Sequence, residues 1–195
     1  MSTSIKKEHR YTYADLESFP EHEIWELIDG TPYLQARPSR AHQHCLTQLI
    51  IQFGNFLEDK PCNVYTETAV WLDLKPTDQR KNSSQHVVPD LLIVCDEDKL
   101  QDEGIYGVPD LIIEILSPST AGLDMIKKYN QYLVAGLQEY WIVDPFYQLV
   151  KVYLLEEDRY LEKIYESEHK VPVKIFHDQL EIDAKKIFLP SKVEK

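Results

Sequence analysis

A mixed α/β sandwich is the fold class this sequence predicts, and three observations point to it. Two long segments carry apolar residues at helical spacing, and several short segments are rich in β-branched and aromatic residues. From Ser39 to Pro145 these segments follow one another as helix, three strands, helix, strand. The resulting αβββαβ core with a mixed sheet, about residues 39–145, lies between an N-terminal β-hairpin and a β-rich C-terminal extension over 148–195. With 195 residues and 43% hydrophobic content, the chain is long enough to bury a full core as a single domain, 1–195.

Taken in order, Thr12 to Phe19 (TYADLESF) has the pattern of a short helix with Thr12 as its cap. IWELIDGTPYLQA then offers two β-type runs joined by Asp29-Gly30, a dipeptide that tolerates the positive φ of a two-residue hairpin turn. Ser39 caps a helical pattern reaching about Asp59, with Leu46, Leu49, Ile50, Phe53, Phe56 and Leu57 at helical spacing. Cys62 to Leu74 is a long β-rich run, followed by the polar loop KPTDQRKNSSQ. Strands are expected at Val87 to Cys95 and at Leu111 to Leu116. Ser117 to Thr120 supplies a proline and a cap for a helix that runs to about Ala135 and stops at Gly136. EYWIVDP (Glu139 to Pro145) is a further buried strand, LVKVYLLEEDRYLEKIYES is a hairpin, and the tail holds short strands and a turn near Asp183.

Composition narrows the possibilities. The balance of 21 basic against 33 acidic residues gives a net charge of -12, which repels nucleic acid over most of the surface, so any DNA contact must be local. No apolar run approaches the roughly 18 to 20 residues of a membrane span, and MSTSIKKEHRY lacks the apolar segment of a secretory signal, so a soluble, cytoplasmic protein is expected. Cys45, Cys62 and Cys95 are odd in number and show no CxxC spacing, which predicts reduced core residues. His42 and Cys45 have no second ligand pair at metal spacing, so zinc is disfavoured. GxSxG, Cys/His catalytic spacing and phosphate-cradling glycine loops are absent.

One residue resists the apolar pattern. Glu114 stands among Leu111, Ile112, Ile113, Ile115 and Leu116, where an unpaired charge costs several kcal/mol. If Val87 to Cys95 and Leu111 to Leu116 pair antiparallel in a symmetric register, Asp90 faces Glu114 while Asp110 falls at the far end. Two carboxylates so close either share a proton or hold a cation between them, and oxygen donors suit Mg²⁺ or Mn²⁺. Glu26 interrupts the apolar row Ile24, Ile28 on the first hairpin and is a third candidate acid. Among cationic partners Lys128 is favoured over Lys127, because its helical neighbours Asp124, Met125 and Tyr132 form a partly buried set. His42, with Arg37 and Arg40 beside it, is positioned to meet phosphate. Tyr147, Tyr153, Tyr160 and Tyr165 alternate with charges in the C-terminal hairpin, as expected of a sheet face packed on the core or on a second subunit.

WELIDG (Trp25 to Gly30), His42, VPDLLIV (Val88 to Val94), VPDLIIEILSPST (Val108 to Thr120), the Asp124, Lys128, Tyr132 ladder and GLQEYWIVDP (Gly136 to Pro145) together resemble the Uma-two family of restriction endonucleases, a branch of the PD-(D/E)XK nuclease superfamily. The resemblance implies a restriction-endonuclease-like αβββαβ core, with Asp90 as the PD aspartate and Glu114 as the acid of the E-x-K element. Leu116 stands where the superfamily lysine belongs, and the resemblance implies that this lysine has moved to the following helix, as Lys128. Glu26 matches the family's early glutamate. Expected, then, is a Mg²⁺- or Mn²⁺-dependent endonuclease acting on DNA as a homodimer, with Asp90 and Glu114 as metal ligands, Lys128 and Glu26 completing the catalytic set, and His42 and Arg40 meeting substrate. The same residues also fit a binding or regulatory homodimer that keeps the fold without turnover.

Overall fold

The computed structural model describes residues 9–35, 37–75, 77–117 and 123–189, with side chains in the second long helix described from Ile126 onward. The chain runs α1 (Tyr13–Leu16), β1 (Trp25–Ile28), β2 (Thr31–Leu34), α2 (Arg40–Leu57), β3 (Asn63–Thr66), β4 (Val70–Trp71), β5 (His86–Val87), β6 (Leu91–Val94), β7 (Leu100–Gln101), β8 (Gly104–Tyr106), β9 (Leu111–Ile115), α3 (Leu123–Ala135), β10 (Glu139–Asp144), β11 (Leu149–Glu156), β12 (Arg159–Glu166), β13 (Lys170–Pro172), β14 (Glu181–Asp183) and α4 (Ala184–Ile187). The mixed α/β class and the order α2, β3, β6, β9, α3, β10 are those expected from the pattern.

Local chemistry accounts for the element ends. Thr12 and Asp15 close a capping box on α1, the Asp15 carboxylate accepting from the Thr12 N–H at 2.7 Å. Asp29 and Gly30 take φ of 51° and 72°, as a two-residue turn between β1 and β2 requires. Ser39 Oγ accepts from the His42 N–H at 3.2 Å and starts α2. Gly136, at φ 82°, ends α3. Of the start of that helix, the segment Ser117 to Thr120 lies beyond Ser117 outside the described residues.

The strands divide into two six-stranded mixed sheets. One has the order β12-β11-β10-β9-β6-β3, the other β2-β1-β5-β4-β8-β7, while β13 and β14 form a small separate pair. Both long β runs of the sequence split between the sheets. The Cys62–Leu74 run breaks after β3, where Glu67 adopts φ 47° and its N–H donates to the Pro89 carbonyl at 3.1 Å. The Val87–Cys95 run breaks at Pro89 and Asp90, since proline has no N–H to continue a ladder. The pattern predicts one strand from each run, but both halves are β-like and only the break, which periodicity does not mark, assigns them to different sheets.

Alternation across the first sheet sorts the core into two layers. Leu91, Ile93, Leu111, Ile113 and Trp141 pack against Cys45, Leu46, Leu49, Phe53 and Leu57 of α2. Leu92, Val94, Ile112 and Ile142 pack on the other face with Tyr132 of α3 and with Val70, Val87 and Ile105 of the second sheet. Tyr153 and Tyr160 join this second layer, with ring contacts to Tyr129 and Tyr140, so these two hairpin tyrosines are core on this face, while Tyr165 is partly buried against the α2 layer. Tyr147 is not part of it and remains exposed.

The cysteines depart from expectation. Cys62 and Cys95 form a disulfide, and only Cys45 is free and buried. The cause is register: β3 and β6 pair Asn63 with Val94, so the next residues outward stand opposite each other. Nothing in a separation of 33 residues reveals that adjacency.

His86 joins the hairpin to the rest of its sheet, paired with Leu27 on one side and Trp71 on the other and enclosed by the rings of Tyr13 and Trp71. Burial pushes its imidazole down from 6.5 to about 4, against a smaller upward pull from the Trp25 backbone. Above the unfolded value both states are neutral and the group is silent. Below it the unfolded chain gains a proton that the fold refuses, so stability falls by about 1.4 kcal/mol per pH unit, roughly 3 kcal/mol in all, until the folded value is reached. Chemical denaturation at pH 7 and pH 4.5 is expected to show this loss in wild type and a loss smaller by about 2 kcal/mol in His86→Gln. Equal losses in the two proteins would mean that His86 is not buried in its neutral form.

Candidate active site

The site forms where the even-numbered face of β9 meets α3 and the N-terminal hairpin. Strands β6 and β9 pair Leu91 with Ile113, Leu92 with Ile112 and Ile93 with Leu111. Continued by one residue, this register sets Asp90 against Glu114, as the symmetric pairing anticipates. Asp110 sits at the other end, where its carboxylate accepts from the Cys95 N–H at 2.8 Å and its own N–H donates to the Ile93 carbonyl at 2.9 Å. It fastens the strand entrance and takes no part in the acidic cluster.

Glu114 is met from two sides. Lys128 Nζ donates to its Oε1 at 3.0 Å, and the Tyr132 hydroxyl donates to the same oxygen at 2.7 Å. One helical turn separates these donors, so a single face of α3 delivers both. Lys128 Nζ also lies 2.9 Å from Glu26 Oε2, while Glu26 Oε1 accepts from the Val88 N–H at 2.8 Å. The lysine thus bridges two acids from different sheets. Its neighbour Lys127 turns away to the hydroxyl of Tyr33, so the helix presents one lysine to the site and one to the hairpin. Asp124 lies on the same helix, but its side chain is outside those described.

Asp90 is held separately. Its Oδ2 accepts from the Ile115 N–H at 2.6 Å, and its Oδ1 lies 3.1 Å from His42 Nε2. His42 reaches it from the first turn of α2, with its Nδ1 buried and lacking a hydrogen-bond partner among the described residues. His42 therefore contacts an acid of the cluster directly, where the sequence suggests a phosphate contact. Arg40 is exposed and is not brought to the site, whereas Arg37 is at its rim.

These groups surround a cavity of about 460 Å³ whose walls include Glu26, His42, Glu67, Asp90, Glu114 and Lys128. Burial pushes Glu114 up to about 7; Lys128 opposes that shift, while the charges of Asp90 and Glu26 add to it. Lys128 moves the other way: burial would lower it, but Glu114 and Glu26 hold it above the usual lysine range, so it stays an ammonium. His42 is likewise raised, burial being outweighed by Asp90, with smaller contributions from Glu114 and Glu67.

Three acids against one lysine leave an excess of negative charge, which favours a further cation. Among the described residues, Glu114 Oε2 has no hydrogen-bond partner, and both Asp90 oxygens retain a lone pair. Also among the described residues, no three of His, Cys, Asp and Glu converge on one point as ready ligands. An ion drawing one or two carboxylates from protein and the rest from water fits this donor set, which is the habit of Mg²⁺.

Sequence reasoning missed Tyr132 as a donor to Glu114 and Tyr140, whose hydroxyl is buried at the cavity without a partner among the described residues. Tyr132 was findable, since it stands four residues beyond Lys128. Tyr140 was not, because on sequence it is one more apolar position of β10.

Comparison with known proteins agrees with this architecture. Residues 11–185 match the family described as "Uma2: Putative restriction endonuclease". "Uncharacterized protein sll1609" of Synechocystis sp. is 36% identical over 80 residues, 40% of this chain and 45% of that protein, so the match spans less than half of the relative's length. "Uncharacterized protein slr1290" of the same organism is 27% identical over 139 residues, 71% of this chain and 70% of that protein. A crystal structure described as a "putative nuclease belonging to DUF820" from Anabaena variabilis shares the fold at a TM-score of 0.71 and 20% identity, over 89% of this chain and 94% of that one.

The buried bridge has a measurable consequence. Lys128→Met leaves two buried carboxylates without their cation and is expected to destabilise the fold by about 3 kcal/mol or more. Lys127→Ala removes a peripheral contact and should cost under about 1 kcal/mol. Urea unfolding of the two variants checks this, and similar midpoints would show that Lys128 does not hold the acids together.

Proposed function

Since this chain belongs to the Uma2 family of restriction-endonuclease-like proteins, we propose that it is a metal-dependent endonuclease that hydrolyses phosphodiester bonds in DNA. The observation that carries the reading is the Asp90, Glu114, Lys128 constellation, in which the helix lysine reaches Glu114 although residue 116 is a leucine. Asp90 and Glu114 would hold the ion, Mg²⁺ or Mn²⁺, and when bound it polarises a phosphate oxygen and lowers the pKa of a coordinated water.

The chain's own groups have distinct tasks. Lys128 stays protonated, so it serves as a fixed positive charge that offsets charge building on the phosphate, and proton abstraction does not fall to it. Glu26 keeps that ammonium in place by its second contact. Tyr132 and Lys128 both engage Glu114 Oε1, which leaves Oε2 without a donor from the helix among the described residues. His42 and the Ile115 N–H fix both Asp90 oxygens, so the carboxylate is oriented before substrate arrives. His42 is thus a positioning residue in this reading, and Arg37, which lines the cavity, would meet a flanking phosphate. Assembly as a homodimer, which would offer one such site to each strand of a duplex, belongs to the same reading.

Plasmid nicking in Mg²⁺ or Mn²⁺ tests the proposal. Wild type should cleave, chelation should stop it, and Asp90→Asn or Lys128→Met should lower the rate by about 100-fold or more, with Lys127→Ala close to wild type. Cleavage by Asp90→Asn at the wild-type rate would sink the assignment. Calorimetry offers a separate arm, since a chain that binds neither ion at millimolar concentration cannot carry out this chemistry.

A further inference from the structure

A second cavity, about 430 Å³, adjoins the first and shares Leu116 and Ser117 with it. Its walls include Ala41 of α2, Leu116, and Pro145, Phe146 and Tyr147 at the end of β10. Phe146 and Tyr147 are 83% and 71% exposed, an unusual state for two adjacent aromatic rings. Their backbone is nevertheless fixed, because Asp144 Oδ1 accepts from both N–H groups at 2.9 Å, and the rings stand edge to face with centroids 4.9 Å apart.

Strand register places this turn beside the acids. β10 runs parallel to β9 with Ile142 paired to Glu114 and Val143 to Ile115, and the Leu116 N–H donates to the Val143 carbonyl at 2.8 Å. Phe146 is four residues beyond Ile142, at most about 13 Å along the strand. A strand whose phosphate lies against Glu114 can therefore reach the rings within a few nucleotides.

We infer that the Phe146/Tyr147 groove is a base-stacking subsite, which takes an unpaired nucleobase flanking the phosphate that would react beside Asp90 and Glu114. The inference deepens the nuclease reading and rests on it. Stacking suits this chain because it requires no positive surface: a net charge of -12 discourages tracking of a phosphate backbone, while a ring attracts the π-face of any base. In a regular duplex that face is covered by neighbouring bases, so only an unstacked or single-stranded base presents it. Single strands, flaps and distorted duplexes share this chemistry, and the experiment separates them.

Binding is measured by fluorescence anisotropy with a labelled mixed-sequence oligonucleotide, on a common Asp90→Asn background so that nothing is cleaved. Single strand and flap should bind more tightly than the matched duplex, and Phe146→Ala with Tyr147→Ala should weaken single-strand binding about tenfold or more with little change for duplex. Phe146→Trp should retain or strengthen binding, which a merely structural role does not require. An abasic site walked along the oligonucleotide should reproduce the loss at one position, and there the ring variants should cost nothing further. Unchanged single-strand affinity in the alanine variants overturns the subsite, as does an effect limited to the oligomeric state in light scattering, which would assign the rings to a second copy of the chain. If wild type cleaves plasmid while the rings prove indifferent, only the subsite fails; if the rings bind single strands while wild type cleaves nothing, only the nuclease reading fails.

Discussion

Lys128, set between Glu26 and Glu114, is the interaction on which the arrangement depends. Each of these three groups is largely withdrawn from water, and none is affordable there alone. Together they join three elements that are distant in sequence: β1 from the second sheet, β9 from the first, and α3 packed across both. Removing the ammonium would leave β1 and β9 presenting like charges to each other across the cavity. The ion bridge thus fixes the seam between the sheets as well as the chemistry of one wall.

The same bridge explains why the site retains negative charge. One lysine cannot neutralise Glu26, Asp90 and Glu114; burial raises Glu114 to about 7 against the pull of Lys128, and the charges of Asp90 and Glu26 add to its tendency to hold a proton. In the proposed reading a divalent cation would compete for the place of that proton, and the imbalance would favour its binding. Asp90 meets different donors: its two oxygens face the Ile115 N–H and His42. The two acids differ through their donors, one dominated by an immobile ammonium and the other by hydrogen bonds that leave lone pairs open.

Much of this was legible from the chain. Caps, turns and the Asp29-Gly30 hairpin are local chemistry, and the register of β6 on β9 follows from the lengths of the two runs about their connection. Helical spacing separates Lys128 from Lys127 because a one-residue step turns a side chain by about 100°, from Glu114 to Tyr33 of the hairpin. What resisted was non-local. The division of strands between sheets, the Cys62–Cys95 bond and the contact of His42 with Asp90 depend on which segments become neighbours in space, and periodicity does not encode that. Arg40 illustrates the same limit: it is two residues from His42 in sequence, but the helix turns it out to solvent.

Leu116 gains a meaning from this geometry. A lysine at that position would follow Glu114 along the strand and approach the acids from β9 itself, whereas Lys128 approaches from α3. With the charge supplied by the helix, residue 116 is free to be apolar, and it forms wall common to the acidic cavity and to the groove of Phe146 and Tyr147. A charged side chain there would require solvation inside that wall and would interrupt the apolar path between the two cavities. In the proposed reading, supplying the lysine from α3 would therefore do more than place a positive charge near Glu114: it would permit a hydrophobic shelf at the edge of the site, on which an acidic protein could hold a nucleic acid where electrostatic attraction is weak.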